Sequence, residues 1–476
     1  MTIRLNQFYI DGRWCTPSSS AQIPVVNPAT EQTLGMLSMG DAADADRAVQ
    51  AARVAFEDFS SSSVASRRML LLRILENYTH RYDDFVKAIS DEMGAPVGLA
   101  RDAQAAIGVA HLKTMIDILE HFQFSEQRGQ TLIVHEPVGV CALITPWNWP
   151  INQIAAKVVP ALAAGCTMVL KPSEYSPLSA ALWAEVMDSS GVPAGVFNLV
   201  HGNGTSVGAA LASHPEVDMV SFTGSTRAGI EVAIGAAPTV KRVHQELGGK
   251  SPNLLLDDTN IEHAVRSSVM AVLRNSGQSC NAPTRLLVPR KILAAVENTS
   301  RHVVESVEVG DPRLASTVVG PVVSRVQFDR IQSYLEKGVS EGARIIVGGA
   351  GKPKGCKDGY YVQPTVFSDV NNSMTIAREE IFGPVLVIIP YDSEEQAVEI
   401  ANDTPYGLAA YVWSEDLARA ARVANRIRAG QVIINGVRPD PYTPFGGFKR
   451  SGNGREWGEF GLRDFLEIKA VVGGPE

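Results

Sequence analysis

Cys280 lies in the run Asn275-Ser-Gly-Gln-Ser-Cys-Asn-Ala-Pro-Thr-Arg285, and Glu246 opens Glu246-Leu-Gly-Gly-Lys250, 34 positions upstream (280 − 246). A thiol that adds to a carbonyl and a carboxylate that activates water are the two parts needed to form and then hydrolyse a thioester. Taken singly, each has a plainer reading: an inert thiol and a surface carboxylate. Asn148, in Thr145-Pro-Trp-Asn-Trp-Pro150, offers a side-chain amide to a developing oxyanion, or else simply forms a turn between two Trp residues.

Further candidates surround these. Lys171-Pro-Ser-Glu174 sets a cation and an acid beyond an apolar run, suited to ribose hydroxyls or equally to a solvated loop. Thr223-Gly-Ser-Thr-Arg-Ala-Gly229 leads into a helix whose first amides suit a pyrophosphate. Neither it nor Gly202-Asn-Gly204 with Gly208 has the G-x-G-x-x-G spacing of a dinucleotide fingerprint. Gly249-Lys250-Ser251 ends like a P-loop, but His244 stands where the first glycine is required, which excludes that reading. His135-Glu136 fails as a zinc-peptidase motif because position 139 is Gly, and no metal-ligand set is encoded.

Such groups need rigid elements to hold them. Val49, Ala52, Phe56 and Phe59 repeat at helical spacing and good helix formers fill 69–93, so the N-terminal region is expected to be mainly helical. From about Val138, short apolar runs (139–144, 167–170, 196–200, 219–222, 253–256) alternate with helical stretches, the pattern of a parallel α/β sheet. A second set (285–288, 385–389, 410–413, 431–435) predicts another α/β domain, with the boundary near Gly248-Gly249 and the thiol and acid facing a cleft between domains. Thr131–Glu136 and Leu466–Val472 read as edge strands, possible sites of subunit pairing.

Together and in this order, Pro146-Trp-Asn-Trp-Pro150, Lys171-Pro-Ser-Glu174, Phe222-Thr-Gly-Ser225, Glu246-Leu-Gly-Gly-Lys250, Gly277-Gln-Ser-Cys280, Glu380-Ile-Phe-Gly-Pro384 and Pro444-Phe-Gly-Gly447 resemble the aldehyde dehydrogenase superfamily. The resemblance runs from about Asn27 to Glu467. It implies an α/β fold of two Rossmann-related domains with a small β oligomerisation segment: 1–117 and 138–248 for the dinucleotide, 249–450 for catalysis, 118–137 and 451–476 for assembly. It also implies Cys280 as nucleophile, Asn148 and the Cys280 N–H as oxyanion hole, Glu246 as water-activating base, and Lys157 with Glu459 as a proton relay. Ile144, Thr145, Trp147, Lys171, Ser173, Glu174, Gly204, Gly208, Phe222, Thr223, Gly224, Ser225, Leu247, Glu380 and Phe382 would meet the cofactor, NAD with NADP possible. Trp149, Gln153, Ala156, Ser279, Asn281 and Tyr442 would line the aldehyde pocket, Ala156 giving room for a medium-chain or aromatic substrate. The acid at 246 favours a free carboxylate as product over a coenzyme A thioester.

Composition narrows the remaining classes. Hydrophobic residues at 45% and charged residues at 20% describe an ordinary globular chain, and its 476 residues exceed one core. A net charge of −8 without a basic block argues against nucleic acid. The five scattered cysteines suit a reducing compartment, and with no apolar leader or span the expectation is a cytoplasmic homodimer or homotetramer away from membranes. A cofactor-independent cysteine esterase is the competing activity; a silent binding protein on the same fold is the third reading.

Overall fold

In the computed structural model, which describes residues 3–473, an eight-stranded sheet supports one side of a cleft and a seven-stranded sheet the other. The first runs in the order Gly452–Asn453, Arg242–Glu246, Met219–Thr223, Val140–Ile144, Thr167–Lys171, Phe197–Leu199, Phe8–Ile10, Arg13–Cys15. Its five central strands, from Arg242–Glu246 to Phe197–Leu199, are parallel. Burial on both faces explains their unbroken apolar runs: Cys141 and Leu143 enter one core while Val140, Ala142 and Ile144 enter another, and Met168, Leu170 and Val169 divide likewise.

The second sheet orders Arg344–Val347, Thr365–Ser368, Val385–Tyr391, Arg285–Pro289, Pro252–Leu255, Ala409–Trp413 and Gln431–Ile434. Only the first of these runs antiparallel to its neighbour. A separate three-stranded sheet joins Ser125–Arg128, Thr131–Pro137 and Leu466–Val472.

Two expectations change. The N-terminal region is not mainly helical at its start: Phe8–Ile10, Arg13–Cys15, Gln22–Val26 and Thr33–Ser38 are strands that precede the first helix, Ala42–Phe59. Parts of the segments expected to serve assembly belong to the rest of the fold, since 118–121 completes the helix Ala106–His121, Gly452–Asn453 joins the first sheet, and Gly458–Asp464 packs on the helices Pro150–Ala164 and Ala106–His121. That last placement matters, because it carries C-terminal residues into the catalytic cleft.

Candidate active site

The C-terminal ends of four adjacent parallel strands present Ile144 paired with Lys171 and, one residue further along, Thr223 paired with Glu246. Such ends open on the ligand crevice of a doubly wound sheet. The loops preceding two strands of the second sheet approach from the opposite side, one with Cys280 and one with Glu380 and Phe382. Paired glycines permit the approach. A side chain on Gly248 would collide with the Glu380 carboxylate, and one on Gly249 with the Cys280 carbonyl.

Behind Cys280 the backbone turns through three successive left-handed residues, Asn275 (φ 54°), Ser276 (φ 55°) and Gly277 (φ 74°). Non-glycine residues hold that conformation only when their surroundings fix it. Here Asn275 Nδ2 donates to Asn148 O (2.7 Å) and Gln278 O (3.2 Å), while its Oδ1 accepts from Gln104 Nε2 (2.9 Å). Ser276 Oγ donates to Gly320 O at 2.8 Å, and Val323 N to Gln278 Oε1 at 2.9 Å. Asn148 Nδ2 donates to Gln278 O at 3.1 Å, so one of its amide hydrogens is used and the other is available beside the thiol loop.

Cys280 is half-buried. Burial first, then the carboxylates of Glu380 and Glu246, push its thiol well above the usual range, so a positive charge nearby is required to ionise it.

Glu246 is 2% exposed, and both carboxylate oxygens lack an aligned hydrogen-bond donor. Its Oε1 lies 2.6 Å from where a Cβ on Gly446 would stand, which gives the glycine of Pro444-Phe-Gly-Gly447 its purpose. Burial raises its pKa to about 7; His244 opposes the rise, Glu456 adds to it, and Lys157 opposes it. A carboxyl poised there can take a proton from water near neutrality.

The expected relay is corrected in one member. Lys157, fully buried, pairs with Glu456, whereas Glu459 lies in the first turn of its helix and pairs with Arg463 in solvent. The main chain explains the choice: Glu456 bonds back to Phe445 as an extended residue, then Trp457 (φ 70°) and Gly458 (φ 53°) reverse direction before the helix begins.

On the cofactor side Lys171 Nζ stands 3.6 Å from Glu174 Oε2, Ser173 Oγ accepts from Tyr175 N at 3.2 Å, and Thr145 N bonds Lys171 O at 3.1 Å. Gly204–Gly208 form one wide helical turn, with Gly208 beside the Lys171 stem. Phe222 lies under Gly224, Leu247 packs on Gly229, and Thr223 Oγ1 is buried without a partner. Ser225 Oγ caps the helix Thr226–Ala236 through Ala228 N at 3.3 Å. Glu380 Oε1 accepts from Gly249 N at 3.0 Å and burial lifts its pKa to about 6. Phe382, held at φ 62°, meets the Trp147 ring edge-on at 5.5 Å. An orphaned hydroxyl, a cation at a strand end with an acid three residues beyond it, and glycines where side chains would collide are what a dinucleotide's hydroxyls and phosphates require.

The pocket residues separate. Trp149 Nε1 donates to Ser279 Oγ at 2.9 Å, and Asn281 O accepts from Tyr411 Oη at 2.9 Å, so these three stand around the thiol loop. Gln153 is buried one turn further along the helix. Tyr442 is instead on the surface, 45% exposed and bonded to Asp117, outside the buried wall. The room expected beside Ala156 is largely filled: His111 and Trp457 close it to a void of about 10 Å³, the volume of a single water probe. Trp457 also stacks on Phe445 at 4.8 Å. Sequence reasoning missed Glu456, His244, Asn275, Gln104 and Tyr411.

The chain belongs to the aldehyde dehydrogenase family, which matches residues 14–471. It is 54% identical over 468 residues to a 3-succinoylsemialdehyde-pyridine dehydrogenase of a Pseudomonas species, covering 98% of both chains. A crystal structure of a cysteine-to-alanine variant of aldehyde dehydrogenase C from Pseudomonas syringae, complexed with NAD+ and octanal, matches with TM-score 0.98 and 54% identity over 98% of this chain and 97% of that one. Betaine aldehyde dehydrogenase from Staphylococcus aureus, in complex with NAD+, matches at TM-score 0.96 and 35% identity over 99% and 98%. The protein is thus an oxidoreductase acting on aldehydes with a nicotinamide cofactor. The esterase reading is not favoured, because it gives no purpose to Lys171, Glu174, Glu380 and Phe382.

Proposed function

We propose that this chain oxidises an uncharged aldehyde, of medium-chain aliphatic or aromatic type, to the free carboxylate with NAD+ preferred over NADP+. Cys280 Sγ adds to the aldehyde carbon, and the resulting oxyanion is met by the Asn148 side-chain amide and the Cys280 N–H, donors worth about 3 kcal/mol each in comparable sites. A bound nicotinamide would supply the acceptor for the hydride leaving that carbon, so that the Cys280 adduct becomes a thioester. Glu246 then takes a proton from water, hydroxide adds to the thioester carbon, and the C–S bond breaks to return the thiolate. Lys157 and Glu456 adjoin Glu246 and offer its proton a way out. Lys171 and Glu174 hold the adenosine ribose, where a carboxylate accepts from a 2′-hydroxyl and repels a 2′-phosphate. Glu380 holds the nicotinamide ribose.

The observation that carries the reading is the convergence on one cleft of the Cys280 loop, the Asn148 amide and a buried Glu246 free of hydrogen-bond donors. The substrate class is supported by the aromatic surroundings, Trp149, Tyr411, Phe445 and Trp457, by one relative crystallised with octanal and by another named for a pyridyl semialdehyde. Exposed Ile468 and Val472 on the strand Leu466–Val472, and Ile230 and Ile234 on the helix Thr226–Ala236, support a homodimer or homotetramer. Five free cysteines support a reducing, cytoplasmic setting, and among the described residues no helix is long and apolar enough to cross a membrane.

The test is reduction of NAD+ and NADP+ over octanal, benzaldehyde-type, carboxylated semialdehyde and betaine-type substrates. The highest kcat/KM should fall on octanal or an aromatic aldehyde with NAD+. A best substrate carrying a carboxylate or a quaternary ammonium overturns the substrate class.

A further inference from the structure

His244 and Glu246 are two residues apart on the strand Arg242–Glu246, so strand alternation points both side chains to one face. Gln245 points to the other and donates to Gly229 O at 2.5 Å. His244 is as deeply buried as Glu246, at 2% exposure. Its Nε2 lies 3.4 Å from Glu246 Oε1 and its Nδ1 lies 2.6 Å from Asp464 Oδ2, ion-pair contacts rather than aligned hydrogen bonds. Asp464 is itself fixed by accepting from Arg455 N at 2.8 Å. Gly454, at φ 80°, closes over the pair, since a side chain there would strike both the imidazole and the Asp464 carboxylate.

A buried histidine between two acids carries its proton, because an imidazolium satisfies both, whereas a neutral ring leaves the buried Glu246 and the partly exposed Asp464 without their shared cation. Burial works against the charge, but Asp464 and Glu246, with Glu456 behind them, raise the His244 pKa to about 9. The charged or titratable groups facing Glu246 are then His244 from its own strand, Lys157 from the helix Pro150–Ala164, Glu456 from the loop before Gly458, and Cys280 across the cleft. Lys157 is already committed to Glu456. His244 is the cation directed at Glu246 itself.

We propose that His244, clamped by Asp464, is a positioning residue for Glu246, holding its carboxylate in place and ionised so that thioester hydrolysis keeps its rate at neutral pH. The inference rests on the reading of Glu246 as the water-activating base. His244 keeps its proton throughout; the water proton passes to Glu246, and hydroxide attacks the thioester carbon.

The experiment compares pH profiles of steady-state kcat, and first-turnover NADH bursts, for wild type, Glu246→Gln, His244→Gln and Asp464→Asn. Loss of the cation raises the pKa of Glu246, and a base works only above its pKa. In His244→Gln the acid limb of kcat should therefore move up by about one pH unit, a roughly fivefold loss at pH 7 that approaches tenfold at lower pH and recovers by pH 9, with the burst retained. Asp464→Asn should move the limb the same way by less, and it decides the matter if His244→Gln yields no burst because it does not fold. An acid limb that stays in place in both, or a uniform loss at every pH, overturns the proposal. Full steady-state turnover in Glu246→Gln overturns the base reading instead.

Discussion

The two halves of the catalytic cleft are built from different chemistry. Around Cys280 the fixing groups are neutral: the amides of Asn148, Asn275, Gln104 and Gln278 and the hydroxyl of Ser276, holding a strained loop through hydrogen bonds. Around Glu246 they are charged: His244, Asp464, Lys157 and Glu456. Neutral hydrogen bonds keep their geometry across pH, while a buried charge network changes with every proton it binds. On the proposed roles, the loop at sulfur is held mainly by shape and the hydrolytic side by charge, while the Glu246 and Glu380 carboxylates also bear on the thiol, so the two steps should respond differently to pH.

The contrast is broken most severely by removing the nucleophile. Cys280→Ala should lower aldehyde oxidation by at least about 10⁴-fold with NAD+ binding retained, measured by turnover and by cofactor titration. Next, Glu246→Gln should depress the steady state by roughly 100-fold or more while a first turnover of NADH still appears in rapid mixing. Loss of the burst as well would place the acid on the sulfur side. Asn148→Ala should cost about 3 kcal/mol, roughly 100-fold, and unlike Glu246→Gln it should slow the burst itself.

Smaller effects sharpen the comparison. Wild-type kcat should rise with pH through about 7, because the Glu246 pKa is raised there and its protonated form cannot act as base. The burst rate should instead follow ionisation of the Cys280 thiol, which burial and the Glu380 and Glu246 carboxylates push up. Smallest is cofactor choice: Glu174→Gln should narrow an NAD+ over NADP+ preference by severalfold in kcat/KM, since Lys171 remains to meet a phosphate. A ratio untouched by the substitution removes Glu174 from cofactor selection.

Much of this was legible in the residues. Parallel strands buried on both faces write themselves as apolar runs, and the polar residues after two of them, Lys171 and Thr223, marked the crevice; the strand Arg242–Glu246 was not read, because Arg242, His244 and Gln245 break the apolar run. The opening strands were missed because Phe8–Ile10 and Arg13–Cys15 are too short for alternation to register, although Asp11-Gly12 between them, both at positive φ, is a hairpin-turn signal that was there to be used. Glu459 came from the family resemblance alone, and nothing local separates it from Glu456, three residues before, until the reversal at Trp457 and Gly458 sends Glu456 inward. His244 was seen only as the residue that spoils a P-loop; strand alternation back from Glu246 would have exposed it. The left-handed path of Asn275 and Ser276 has no local signature, since partners as distant as Gln104 and Gly320 impose it.

The filling of the space beside Ala156 by Trp457 and His111 has an evolutionary reading. One volume is shared by side chains from the helix Pro150–Ala164, the helix Ala106–His121 and the C-terminal loop, so none of those positions drifts alone. An aromatic residue arriving at 156 would have to displace the indole at 457, while a smaller residue at 457 would open a side chamber reaching the helix that carries Trp149 and Lys157. Lineages with different substrate ranges should therefore show compensated exchanges at 111, 156 and 457, changing together across otherwise similar chains.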